Sequence, residues 1–245
     1  MRLEQIKKIA IAGAGIMGAS IAQIFAREGY KVALYDIAEA GLENGRKLIA
    51  INQEASITAG EITQEESMAL RQRISFSLDP ECFRDADFVI EAIVEKMAVK
   101  HTFWSQVSAI APVNAVLTTN TSGLSITEIA EAVERPERFG GMHWVNPPHI
   151  VPLVEVIRGE KTAPATADLI FALAEKIRKK PVMVKKDAKG FILNRFQFCI
   201  LREAMHIVES GIATMEDVDN VFKYGLGMRY ACLGPFQIAD LGGLD

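Results

Sequence analysis

Residues 6–36 read IKKIAIAGAGIMGASIAQIFAREGYKVALYD, and this stretch decides the fold. Ile6–Ala12 is a short apolar run, Gly13-Ala14-Gly15-Ile16-Met17-Gly18 is a glycine-rich turn, and Ala19–Arg27 continues as a helix. A second apolar run, Lys31–Tyr35, ends in Asp36. Strand, glycine turn, helix, strand and acid in one unit are the context a dinucleotide fingerprint requires. Gly13 permits the tight turn, Gly15 lets backbone approach a pyrophosphate, and Gly18 lets helix lie close on strand. The N–H groups at the helix start, headed by Ile16 and Met17, point their positive end at the phosphates. Asp36 stands where a carboxylate accepts from a ribose 2′-OH and repels a 2′-phosphate. No Arg follows within Ile37–Ala40, so the expected cofactor is NAD rather than NADP.

Outward from this unit, strands and helices alternate. Glu39–Ala59 and Thr63–Gln72 are expected as a helical hairpin inserted after the second strand, the second helix opening on the capping box Thr63–Glu66. Strands are expected at Arg73–Ser77, Asp87–Ile93, Ala115–Thr119, Phe139–Val145, Leu153–Arg158 and Val182–Lys185, with helices at Lys96–Ile110 and Pro164–Lys179. Ser125–Glu128 reads as a further capping box opening a short helix. This is an α/β chain with a doubly wound, mostly parallel Rossmann-type sheet. Asn120-Thr121-Ser122-Gly123 lies just past a strand's carboxyl end, where ligands of such sheets bind. The composition shifts near Asp187–Gly190, giving a nucleotide-binding domain over 1–188 and an all-helical domain over 189–245. Helices are expected at Asn194–Glu209, Thr214–Lys223 and from Pro235, too little to close a bundle, so the helical domain is expected to be incomplete.

The 245 residues carry a net charge of −4 and no basic stripe, which argues against nucleic acid as a partner. The uncharged run Ile9–Ala26 is broken by three glycines, against a signal or membrane segment. Three scattered cysteines (Cys82, Cys199, Cys232) read as reduced, mostly buried thiols of a cytoplasmic protein. With four histidines and no HExxH spacing, no metal site is expected.

Several motifs in order carry a resemblance: the fingerprint, EAIVEKMAVK at 91–100, NTSGLSITEIA at 120–130, HWVNPPHIVPLVEVI at 143–157 and KGFILNRF at 189–196. Together they resemble the L-3-hydroxyacyl-CoA dehydrogenase family. The resemblance implies NAD-dependent oxidation of a secondary alcohol, with His143 as general base and Glu155 as its partner. It also implies substrate contacts from Ser122 and Asn194, and a nicotinamide side lined by Glu95 and Lys100. Asn120 joins the cofactor set, and Asn146 the substrate set. Chemistry makes sense of the pair independently, since an imidazole titrates near neutrality and a carboxylate fixes its tautomer. Glu155 inside the apolar run LVEVI needs a partner if buried. A Ser122, His143, Glu155 order also admits a hydrolase, but no GxSxG elbow surrounds Ser122.

The hairpin departs from the acyl-CoA pattern: over Gly41–Gln72 its only lysine is Lys47, among the acids Glu54, Glu61, Glu65 and Glu66. GLGMRYACLGP from Gly225 is similar to the lambda-crystallin/L-gulonate 3-dehydrogenase branch, in which Arg229 could hold a substrate carboxylate. The expected substrate is an L-3-hydroxyacyl-CoA, the alternatives being a small free 3-hydroxy acid or a crystallin-like protein with little turnover. The apolar stretches Phe191–Val208 and Val218–Leu241 lead to the expectation of a homodimer through the helical domain.

Overall fold

A computed structural model of the chain describes residues 1–243. It divides into two compact units, Met1–Ile192 and the segment from Leu193 onward. In chain order the first contains β1 (Lys8–Ala12), α1 (Ile16–Arg27), β2 (Lys31–Tyr35), α2 (Glu39–Thr58), α3 (Gln64–Gln72), β3 (Ile74–Ser77) and β4 (Phe88–Glu91). There follow α4 (Met97–Ile110), β5 (Val116–Thr119), α5 (Ile126–Ile129), β6 (Phe139–Trp144), β7 (Leu153–Ile157), α6 (Pro164–Lys176) and β8 (Lys180–Val184).

The eight strands form one sheet in the order β3-β2-β1-β4-β5-β6-β7-β8. All neighbours are parallel except β6 and β7. The order reverses between β1 and β4, the switch point beside which such sheets bind nucleotides. The central strands are buried on both faces, which suits their continuous apolar runs. One face carries α1 and α6 over Ile9, Ile11, Phe25 and Trp144; the other carries α4 and α5 over Val89, Trp104, Phe139 and Phe191. The hairpin lies along α1, where Gln53 Nε2 donates to Gln23 Oε1 at 2.9 Å. The Thr63–Glu66 capping box at the head of α3 forms in both directions.

The last strand and the helix before it have other boundaries than the sequence reading gave. The last strand starts at Lys180 and includes Pro181, which an outermost strand tolerates because one side of its ladder is unpaired. The helix before it stops at Lys176, since Arg178 adopts φ 62° and Lys179 turns inward to the carbonyls of Pro148 and Val151. At Ser125 the hydroxyl caps Glu128 N–H and itself donates to Asp187.

The second unit contains α7 (Leu193–Glu209), α8 (Met215–Val221), a π-helical turn at Phe222–Leu226, α9 (Gly227–Tyr230) and α10 (Pro235–Gly242). Gly211, at φ 69°, lies two residues past the end of α7, and Thr214 with Asp217 forms the capping box of α8. Gly225 and Gly227 do not break the helix, so Arg229 lies in α9 rather than in a loop between helices. None of these helices has a buried residue. This corrects the reading of the thiols as mostly buried: Cys199 and Cys232 are exposed, and Cys82 is half-buried. Phe191, by contrast, is buried in the first unit.

Candidate active site

The carboxyl ends of β1, β4, β5 and β6 gather the candidate residues of the first unit. At β1, Gly13 takes φ 96°, and a Cβ there would lie 2.5 Å from Ala92 O. A Cβ on Gly18 would lie 1.8 Å from Gly13 O, so both glycines are demanded by the fold itself. Gly15 differs, because a Cβ there would meet no protein atom within 4 Å and its φ is an ordinary −73°. Gly15 is also the N-cap of α1, with no side-chain cap and no acid in the first turn. Ile16 and Met17 open that turn, so its N–H groups and positive end suit a phosphate. Asp36, just past β2, accepts from Ala14 N at 2.9 Å and Ala38 N at 3.1 Å, which fixes its carboxylate beside the glycine turn. These features fit a dinucleotide with a free 2′-OH.

Beyond β4, Glu95 is tied to the β5 loop: its Oε1 accepts from Ser122 N at 2.9 Å and from the Thr121 hydroxyl. Burial pushes its carboxyl pKa up, but the Thr121 hydrogen bond, the Lys100 charge and the Ser122 N–H outweigh this and hold it below the ordinary value. Lys100 is buried, 3.2 Å from Glu95, so it meets this surface through that carboxylate rather than lining it directly. Asn120 Oδ1 accepts from Trp144 N at 2.8 Å, binding the end of β5 to the residue after His143.

His143 and Glu155 are cross-strand partners in the antiparallel register of β6 and β7. That register puts both side chains on one face, and the distance from His143 Nδ1 to Glu155 Oε2 is 2.7 Å. Both are buried, at 4% and 0% exposure, so each satisfies a group that burial alone would penalise. Glu155 Oε1 accepts from Ile192 N at 2.8 Å, and the Phe191 ring centroid lies 5.5 Å from that of His143. Asn146 is exposed on the loop after β6. Asn194, half-buried in α7, and Arg229, exposed in α9, belong to the second unit.

One residue here escaped the sequence reading. Glu91, the last residue of β4, is fully buried and receives Lys100 Nζ at 2.5 Å, Thr119 Oγ1 at 2.7 Å, Ile93 N at 3.1 Å and Trp104 Nε1 at 3.3 Å. Its signal was an acid inside the apolar run FVIEAI at 88–93, the same pattern that singled out Glu155 within LVEVI. Among the described residues no cluster of His, Cys, Asp and Glu could hold a metal ion.

Comparison with known proteins fits this geometry. The family model described as 3-hydroxyacyl-CoA dehydrogenase, NAD binding domain, matches residues 8–188, and the C-terminal domain model matches residues 190–245. The chain belongs to the 3-hydroxyacyl-CoA dehydrogenase family. It is an NAD-dependent oxidoreductase of that type, and its second unit matches the family's C-terminal domain. The chain is 43% identical to the probable 3-hydroxybutyryl-CoA dehydrogenase of Bacillus subtilis, covering 98% of this chain and 83% of the relative. It is 35% identical to the human lambda-crystallin homolog, covering 95% and 74% respectively, so the features shared with that branch are real. A solved 5-formyl-3-hydroxy-2-methylpyridine 4-carboxylic acid 5-dehydrogenase, titled an NAD+-dependent dismutase, superposes with a TM-score of 0.90. It is 37% identical and covers 98% of this chain and 77% of that one.

Proposed function

We propose that this dehydrogenase oxidises an L-3-hydroxyacyl-CoA reversibly to the 3-oxoacyl-CoA, with His143 as general base. The observation that carries the reading is the buried His143–Glu155 hydrogen bond at the carboxyl edge of the sheet. Donation from Nδ1–H to Glu155 leaves the Nε2 lone pair to take the hydroxyl proton, and the carboxylate charge offsets the imidazolium that forms. NAD, when bound, supplies the hydride acceptor. In this reading Ser122 and Asn194 hold the oxygen on the reacting carbon, with Asn146 and Arg229 on the rest of the substrate. Gly13, Gly15, Ile16, Met17 and Gly18 receive the pyrophosphate, and Asp36 the ribose. Glu95, backed by Lys100, faces the nicotinamide side with Asn120.

A small free 3-hydroxy acid is the second reading, and the hairpin favours it. Arg46 is already 3.0 Å from Glu39, and Lys47 is 3.5 Å from Glu43, so few cations there are uncommitted to acids. The relative named for a pyridine carboxylate, a small free acid, points the same way. Absorbance of NADH at 340 nm (the reduced cofactor's own band) separates the readings. Oxidation of NADH by acetoacetyl-CoA supports the first, NAD reduction only by free hydroxy acids such as L-gulonate the second. NAD binding with turnover of neither refutes both.

The same reading has the enzyme working as a cytoplasmic homodimer joined through the helical domain. It rests on the exposed Phe196, Phe198, Leu201 and Met205 of α7. No helix among the described residues is long and apolar enough to cross a membrane. Light scattering giving the mass of one chain would refute the dimer.

A further inference from the structure

A fully buried, heavily bonded charge lies behind the surface assigned to nicotinamide. Glu91 accepts four hydrogen bonds, two on each carboxylate oxygen, so its ionised form is fully satisfied without water. Lys100 is 1% exposed and sits closer to Glu91, at 2.5 Å, than to Glu95, at 3.2 Å. Glu95 in turn is pinned on its other oxygen by Thr121 and Ser122 and has a side chain 43% exposed. The row thus runs inward from Glu95 through Lys100 to Glu91, minus, plus, minus.

We infer that Glu91 is a positioning residue that neutralises Lys100 and so leaves Glu95 a full negative charge toward the nicotinamide. With Lys100 and Glu95 alone the row would sum to zero, and the cation would draw the carboxylate inward. With Glu91 as the lysine's counter-ion the sum is −1. The oxidised nicotinamide ring carries a positive charge that the reduced ring lacks, so a net negative row favours NAD+ over NADH. A structural ion pair alone would set stability and leave that ratio untouched. The inference rests on the placement of Glu95 beside nicotinamide proposed above.

The test is the ratio of dissociation constants for NADH and NAD+, measured by fluorescence titration of the full chain without substrate. E91Q should weaken NAD+ relative to NADH by roughly three- to tenfold, the worth of one partly solvated charge interaction. E91Q/K100Q restores the sum of −1 and should return the ratio to that of the parent. If E91Q does not fold, E91M removes the same charge without adding a polar group, and the same fall is expected. E95Q separates the two levels of the argument. A ratio lowered by E95Q but not by E91Q or E91M overturns the role of Glu91 while leaving the nicotinamide placement standing. A ratio unmoved by E95Q overturns that placement and this inference with it. Failure of E91Q/K100Q to recover the ratio overturns the charge account.

Discussion

Replacing Glu155 by Gln tests the candidate base most sharply, because the shape is kept and the charge is lost. Each carboxylate oxygen serves a donor: Oε2 takes His143 Nδ1–H at 2.7 Å and Oε1 takes Ile192 N–H at 2.8 Å. An amide cannot serve both. If its oxygen faces His143, its NH2 opposes Ile192 N–H; if it is flipped, His143 must accept at Nδ1 and its Nε2 carries the proton. The first orientation leaves a buried donor unmet, at about 1–3 kcal/mol. The second abolishes the base. In either orientation the imidazolium loses a counter-charge worth about 4 kcal/mol at ~4 Å and an effective dielectric constant of ~20, equivalent to roughly a thousandfold in rate. The expected kcat of E155Q is therefore lower by about two to four orders of magnitude, with NAD affinity held to within about twofold. Single-turnover absorbance of NADH measures the first and fluorescence titration the second. A kcat within about threefold of the parent would refute the assignment of His143 and Glu155 as the working pair.

The other predictions separate packing from ligand contact. G15A should leave the thermal midpoint unchanged, since its Cβ meets no protein atom within 4 Å, yet weaken NAD by about tenfold or more in a binding titration. G18A should lower stability by about 1–3 kcal/mol in denaturant unfolding, because its Cβ would overlap Gly13 O. D36A should weaken NAD and narrow its advantage over NADP, measured as a ratio of dissociation constants. For T121V the sign follows from Glu95. A carboxyl held below its ordinary value contributes stability above that value, and the contribution is lost as pH falls through the folded one. The stability gap between parent and T121V should accordingly be wider at pH 7 than at pH 3, as read by urea unfolding at the two values.

Much of this architecture was legible because local signals and the global fold agree. The β1–α1–β2 unit shows itself in glycines whose Cβ positions are filled by Ala92 O and Gly13 O. His143 and Glu155 were paired through the resemblance, and the structure gives the physical reason in a proline-containing bend, Asn146–His149, between two strands. An antiparallel return then puts facing residues together. Glu91 was missed because its partners, Lys100, Trp104 and Thr119, come from two later elements, and no local spacing reports their convergence. The π-helical turn at Phe222–Leu226 was missed for a different reason. Gly225 and Gly227 carry high intrinsic cost in a helix, yet the segment stays helical through them.

The bond from Ile192 N–H to Glu155 has a consequence for engineering. The last peptide of the first unit is, chemically, a ligand of the acid that steadies the imidazole. Lengthening or shortening the chain between Ala188 and Ile192 would remove no functional side chain, yet it would slide that amide off the carboxylate. Swapping the helical half for another would then disturb the pair proposed as the base, unless the graft keeps the exit residue in step.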